Sequence, residues 1–237
     1  MKFMNQLAKN SLRQNGWLLF VLLCLVQLLF TTLNFEFVST EEIYAEYLEE
    51  KDNANLESDT DYSEYEDDID ELEDENEDVF LEDLAFDTAF IVVDKLVSFT
   101  SITFCILVAF LLINKHKVSF GKIFKVVLIA NFVFLLPVLV KLLWFSIQSD
   151  YSFEDIQYFY PLAAIQIFDA GTLPDWLVYL FKTLNLFELA YIFLLSLLLS
   201  VQLNISKSET LKYVLGGYGT GMIIWIGFRI YLKIAFG

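Results

Sequence analysis

Apolar residues along the chain are grouped into five long stretches, which are separated by charged or aromatic segments. The stretches cover residues 17–33, 96–113, 124–147, 186–203 and 213–231. About 20 apolar residues suffice for one helical crossing of a bilayer. The pattern therefore predicts an all-α integral membrane protein with five transmembrane helices, the last of them within region 213–237, which also holds the outer carboxy end.

One apolar stretch, from Trp176 to Leu203, is too long for a single upright crossing. We divide it into an interfacial helix over 174–184 and the fourth span. A second interfacial helix is predicted near 80–94, where apolar residues recur at helical spacing before the second span. The predicted outer segments are then 34–95 and 148–185.

Basic residues set the predicted orientation. The predicted inner segments are the amino terminus 1–16, a basic loop 114–123 and a loop 204–212. Lysines crowd into the second of these, in Asn114-Lys-His-Lys117, and continue into the start of the third span. Short basic loops stay in the cytoplasm. We therefore expect the amino terminus inside and the carboxy terminus outside.

The first apolar stretch has two interpretations. It follows a terminus with Lys2, Lys9 and Arg13 and no acid, as a signal peptide would. However, it is longer than a usual signal-peptide core, and no A-x-A-like cleavage site follows it. We expect an uncleaved anchor, and cleavage stays open as the alternative.

Composition changes the picture in one place. The chain is 57% hydrophobic yet has a net charge of -17, because 22 of its 32 acidic residues lie between Glu41 and Asp83. Such a segment repels itself and predicts a disordered acidic outer loop. Its simplest role is a solvated spacer, and weak cation binding or attraction to the basic outer face are alternatives. Glu64 stands where a calcium loop starting at Asp59 requires glycine, so no tight metal site is predicted.

A few polar residues fall within or beside the apolar stretches and are the candidate site residues. They are Glu188, Lys141, Arg229, Asn131 and Asn185. An ionised side chain in hydrocarbon costs about 2.5–3.5 kcal/mol even on the lenient insertion scale. Glu188 is therefore expected to pair with Lys141 or Arg229, or these groups reach interfacial water. The alternative is an ion or proton site.

Small residues and a proline mark two further positions. Gly217 and Gly221 form a small-xxx-small pattern, which lets two helices approach closely. Their partner is left open between span four and a second subunit. Pro137 is expected to kink the third span.

Four stretches together resemble the Yip family of five-span membrane proteins, especially its small bacterial members. They are Lys117-Val-Ser-Phe-Gly-Lys-Ile-Phe-Lys-Val-Val, Tyr160-Pro-Leu-Ala-Ala-Ile-Gln-Ile-Phe168, Leu184-Asn-Leu-Phe-Glu-Leu-Ala-Tyr191 and Ile205-Ser-Lys-Ser-Glu-Thr-Leu211. The likeness covers residues 96–231 and implies a fold and a topology. Because it is to bacterial members, it also implies a place in the bacterial cytoplasmic membrane. Eukaryotic members bind small GTPases through a cytosolic amino-terminal region. Only about sixteen residues precede the first span here, so GTPase binding is not supported.

Sequence motifs favour a protein without enzymatic activity. The chain has no P-loop, no nucleophile elbow and a single histidine, His116. We expect no cofactor, no metal and no nucleic-acid partner. The first hypothesis is a scaffold or partner subunit that contacts the lipid bilayer and either another membrane protein or a second copy of itself. The second is a transport component with a polar path at Glu188, Lys141 and Asn131.

Overall fold

The computed structural model describes residues 2–38, 76–113, 118–148, 151, 155 and 158–236. The predicted disorder of the acidic loop falls mainly on residues 39–75, and the lysine cluster of the inner loop falls mainly on 114–117. Both predictions lie outside the described residues.

Within the described residues the chain forms nine α-helices and no strand. The helices are α1 (Lys2–Arg13), α2 (Gly16–Val38), α3 (Asn76–Ile113), α4 (Phe120–Asn131), α5 (Leu135–Ile147), α6 (Asp175–Thr183), α7 (Leu186–Leu203), α8 (Lys207–Val214) and α9 (Thr220–Phe236). Three-residue and four-residue 3-10 helices lie at Phe132–Phe134, Ala164–Ile167 and Ala170–Thr172, and a π-helix at Leu215–Gly219 joins α8 to α9.

Three helical segments in the described part of the chain are long and apolar enough to cross a membrane. They are Ala89–Ile113, Phe120–Ile147 and Leu186–Leu203. The protein is therefore helical and has the character of a membrane protein. The apolar part of α2 described in full, Gly16–Phe30, is shorter, and α9 is not among the three. Five crossings and their orientation stay predictions.

The predicted helix near 80–94 and the second span lie within one helix. Helix α3 runs unbroken from Asn76 to Ile113, so the helix expected to lead into a span over 96–113 continues directly into it. Neither glycine nor proline occurs between these residues, so no residue type in the segment breaks the helix. The amino terminus also contains a helix, α1. The sequence had predicted residues 1–16 only as an inner segment, without a helix.

A 3-10 turn interrupts the third span just before Pro137. The turn covers Phe132–Phe134, and α5 begins at Leu135. Proline has no N–H, so the carbonyl of Val133, four residues earlier, lacks its usual helical donor. Pro137 itself lies in the first turn of α5, where proline is tolerated. The interruption thus sits at the position where a kink was expected.

The helices pack into one bundle. Helix α3 lies against α4 and against the π-helix, α4 lies against α7, and α8 folds back on α7. Large side chains fill the centre, among them Phe99, Phe110, Tyr191 and Tyr213, each at most 1% exposed. The Phe110 and Tyr213 rings stack with their centroids 3.9 Å apart, which joins α3 to α8.

Residues 158–185 form a small cap on one end of the bundle. Its own apolar centre consists of Ala163, Ile165 and Val178. Two backbone hydrogen bonds close the cap onto the start of α7: the Ala164 N–H donates to the Leu184 carbonyl at 2.8 Å, and the Leu186 N–H donates to the Leu162 carbonyl at 3.1 Å. The predicted interfacial helix over 174–184 corresponds to α6 in this cap.

Candidate functional site

Glu188 lies in the first turn of α7, at the junction of the bundle and the cap. The Asn185 side chain caps this helix, because its Oδ1 accepts the Glu188 N–H at 2.8 Å. A carboxylate in the first turn is favoured by the helix dipole. The Glu188 carboxylate in turn accepts a hydrogen bond from the Tyr218 hydroxyl of the π-helix. The side chain is therefore fixed between α7 and the segment that precedes α9.

Tyr218 is a site residue that sequence reasoning missed. The sequence proposed Lys141 or Arg229 as the partner of Glu188, whereas the structure places the Tyr218 hydroxyl against it. Helix α7 and the helices that follow it run antiparallel, which brings Glu188 and Tyr218 to the same level of the bundle. Both residues lie about equally far from the short turn after Leu203, so their similar level could have been predicted from the sequence.

The basic residues at this end of the bundle lie over tyrosine rings of the cap. The Lys141 ammonium is 6.0 Å from the Tyr160 ring centroid, and the Lys182 ammonium is 4.6 Å from the same ring. The Arg229 guanidinium is 5.5 Å from the Tyr179 ring. A cation over an aromatic face gains about 0.5–1 kcal/mol at an exposed site and more when desolvated. These contacts join α5 and α9 to the cap.

Tyr191 continues the polar interior below Glu188. Its side chain is fully buried, and its ring meets Tyr218 edge-on at 5.2 Å and Phe134 at 4.9 Å. Asn131 of α4 lies close enough to interact with the Tyr191 hydroxyl. That hydroxyl nevertheless has no partner of hydrogen-bond geometry within the described residues. The structure thus brings Glu188 and Asn131 into one interior region through two tyrosines.

The second predicted asparagine has a local role. The Asn185 amide donates to the Thr183 carbonyl at 3.1 Å, and its oxygen caps α7. Both ends of the side chain therefore hold the connection between α6 and α7.

Gly217 and Gly221 contact α3. The sequence had left their partner open between span four and a second subunit, and α3 is neither of these. A Cβ atom on Gly217 would lie 2.6 Å from the Cys105 carbonyl oxygen and 2.7 Å from the Ile106 Cα. A Cβ atom on Gly221 would lie 3.1 Å from the Cys105 Sγ. Both glycines therefore serve a close approach of two helices within one chain.

A cavity of about 500 Å³ opens beside this region, between α5 and the cap. Lys141, Lys182, Tyr160 and Asn185 supply its polar groups. Burial lowers the pKa of the Lys182 ammonium, the charge of Lys233 lowers it further, and Asp175 partly offsets both. Burial also raises the pKa of the Tyr160 hydroxyl. The cavity therefore has a positively charged, aromatic rim.

The described residues contain no group of three or more His, Cys, Asp or Glu side chains placed to hold a metal ion. Comparisons of the chain with protein-family models, with curated proteins and with solved structures found no match. The site must accordingly be interpreted from its own geometry.

Proposed function

We propose that this chain is a non-enzymatic, multi-pass membrane protein that serves as a scaffold or partner subunit of a membrane complex. In this proposal it has five spans, with the amino terminus inside and the carboxy terminus outside, and belongs with the small bacterial Yip-like proteins. Support comes from the contacts of the intramembrane polar and glycine residues. The partly buried Glu188 carboxylate and the glycines Gly217 and Gly221 join helices of the same chain to each other.

The Glu188 to Tyr218 hydrogen bond carries this proposal. Tyr218 is a neutral donor, so the side-chain oxygen of a neutral amide at position 188 can still accept its hydrogen bond. A structural role therefore needs an acceptor at this position and does not need a negative charge. A role in moving protons or cations needs the ionisable carboxylate itself.

A set of variants at position 188 tests the difference. Glu188→Gln should keep the wild-type unfolding midpoint in detergent and the same co-purifying proteins. Glu188→Ala should destabilise the protein, because it leaves the Tyr218 hydroxyl without its acceptor. A hydrogen bond between membrane helices contributes about 0.6 kcal/mol on average and at most about 1.7, so the loss should fall near that range. Tyr218→Phe is the matched variant on the other side of the bond.

Affinity purification in mild detergent, followed by identification of the bound proteins, measures the scaffold role directly. The same wild-type protein is reconstituted in liposomes and assayed for proton and cation flux. A specific partner retained by both wild type and Glu188→Gln supports the proposal. Flux by the wild type that Glu188→Gln abolishes at unchanged stability would overturn it.

That second outcome corresponds to the alternative function, a transport component. One observation favours it: the Tyr191 hydroxyl is buried without a well-formed hydrogen bond in the described part of the chain. It lies between Asn131 and the Glu188 to Tyr218 pair. Buried polar groups are normally satisfied, so a water molecule or an ion passing this point would supply the missing partner.

Topology is tested separately. In the five-span arrangement, a reporter fused after Gly237 is active outside the cell, and a cysteine placed at exposed Lys122 reacts only from the cytoplasmic side. A carboxy-terminal reporter active only in the cytosol would contradict the five-span arrangement without touching the packing contacts above.

A further inference from the structure

The cavity between α5 and the cap combines two kinds of wall. Two ammonium groups, from Lys141 and Lys182, face it together with the Asn185 side chain. The rest of the lining is mainly apolar and includes Phe134, Pro137 and Val138, which share a helix face with Lys141, and Phe187. Binding sites of 300–1,000 Å³ with mainly apolar walls and a few convergent polar groups are typical of small-molecule sites. At about 500 Å³ this cavity falls in that range.

Cations accumulate at this end of the bundle. Lys182 and Lys141 meet at the same Tyr160 ring, and both Lys141 and Lys233 lie close enough to Lys182 for like-charge repulsion. Asp175 attracts Lys182 and offsets part of this repulsion. Placing like charges together is unfavourable, and an anion bound between the two ammonium groups would relieve it.

The cavity also lies where a membrane lipid is at hand. Lys141 is part of the candidate span Phe120–Ile147, toward its carboxy-terminal end. Tyr158 and Tyr160 stand beside it in the cap, and tyrosine is typical of the headgroup zone of a bilayer. A ligand with an anionic group and an apolar body matches both walls, whereas a small inorganic anion would leave the apolar wall uncovered.

We propose that this cavity binds an anionic amphiphile, with its phosphate or carboxylate group between Lys141 and Lys182 and its apolar part against Phe134, Pro137 and Val138. A phospholipid of the surrounding bilayer and a free fatty acid share this chemistry. Tyr160 and Asn185 line the cavity beside the headgroup, and Tyr158 contacts Lys182 from the cap. The site is separate from the Glu188 to Tyr218 bond and does not depend on the proposed scaffold role.

Native mass spectrometry of the full chain tests the binding. The protein is purified in mild detergent, incubated with phosphatidylglycerol, phosphatidylcholine, oleate or inorganic phosphate in turn, and scored for retained ligand. Phosphatidylglycerol retained well above phosphatidylcholine identifies a phospholipid source, and oleate retained in its place identifies a fatty acid. Either result supports the site. Equal retention of phosphatidylcholine and both anions, or binding of inorganic phosphate alone with no amphiphile, overturns it.

Charge variants locate the bound group. A single basic contact to an anionic lipid corresponds to about a fivefold change in affinity. We expect Lys141→Gln and Lys182→Gln each to weaken retention about fivefold and the double variant about 30-fold. Lys122→Gln, at an exposed position on α4, is the matched control and should bind as the wild type does.

Charge-preserving variants guard against simple misfolding. Lys141→Arg and Lys182→Arg keep the positive charge and should keep most of the binding. If the double Gln variant stays folded and retains the lipid as the wild type does, the anionic group lies elsewhere and the proposal is refuted. If the double variant unfolds, the single variants decide, since undiminished retention by both has the same meaning.

Discussion

Replacing Gly217 by alanine would push a methyl group into the backbone of α3. The added Cβ would lie 2.7 Å from the Ile106 Cα and 2.6 Å from the Cys105 carbonyl oxygen. Carbon atoms in favourable contact are about 3.5–4.0 Å apart, so the two segments would have to separate by about 1 Å. Both obstacles are backbone atoms and cannot rotate away.

The expected cost follows from two opposing effects. Overpacking a well-packed core typically costs about 1–3 kcal/mol. Alanine is favoured over glycine within a helix by about 0.5–1 kcal/mol, which recovers part of it. We therefore expect Gly217→Ala to lower the free energy of unfolding by about 1–2 kcal/mol. Native proteins are stable by only about 5–15 kcal/mol, so the effect is measurable.

Two neighbouring glycines supply the matched controls. Gly216 is exposed, and apart from its chain neighbours and its own helix backbone no atom of the described residues lies within 4 Å of its Cβ position. Gly216→Ala should therefore stabilise by about 0.5–1 kcal/mol. Gly221→Ala should fall between the two, because its Cβ meets the Cys105 side chain at 3.1 Å. Cys105→Ala should rescue Gly221→Ala and leave Gly217→Ala unchanged, since the contact at Gly217 is with backbone.

Equilibrium unfolding in mixed micelles, followed by tryptophan fluorescence, measures all of these variants on one scale. The order of stability should be Gly216→Ala, wild type, Gly221→Ala and Gly217→Ala, from highest to lowest. If Gly217→Ala is as stable as Gly216→Ala, the helices do not approach through Gly217 and the packing described for α3 is incorrect.

Two further predictions concern single contacts. Leu162 has a left-handed backbone with φ of 58° in the turn after Pro161, a conformation that costs most residues about 1–2 kcal/mol. Leu162→Gly should therefore raise the unfolding midpoint, and Leu162→Val should lower it. A lower midpoint for Leu162→Gly would contradict the backbone strain at this position. The buried Thr210 hydroxyl donates to the Ser196 carbonyl at 2.9 Å between α8 and α7, so Thr210→Val should cost about 1 kcal/mol in the same unfolding assay. Ser208→Ala, on the exposed face of α8, is the control. An unchanged midpoint for Thr210→Val would show that this hydrogen bond adds no stability.

Apolar length and helix signals carried much of the fold. The fourth span was predicted over 186–203 from apolar length, and α7 has the same bounds. The structure adds the local reason, since Asn185 caps the start of the helix and Asn204 adopts the left-handed conformation at its end. The start of α8 was missed, although Ser206 and Glu209 form a recognisable capping pair in which the Ser206 hydroxyl accepts the Glu209 N–H. Local patterns of this kind are readable from sequence alone.

Partner choice across the bundle was not readable in the same way. The sequence paired Glu188 with Lys141 or Arg229, but positions along the chain leave the rotation of each helix about its axis undetermined. In the structure Gly217 lies against α3, and its neighbour Tyr218 donates a hydrogen bond to Glu188. Glycines have no side chain whose spacing could identify the facing helix. The pattern of Gly217 and Gly221 therefore indicated that two helices meet at these positions without indicating which two.

The π-helix at Leu215–Gly219 accommodates one more residue in its turn than an α-helix would. Each residue of an α-helix turns the chain by about 100°, so this insertion fixes the angular phase of everything beyond Thr220. With that phase, Arg229 points to the ring of Tyr179 while Ile223 and Ile224 are turned to the outside. Five residues thus set which surface of the final helix the rest of the protein presents to its surroundings.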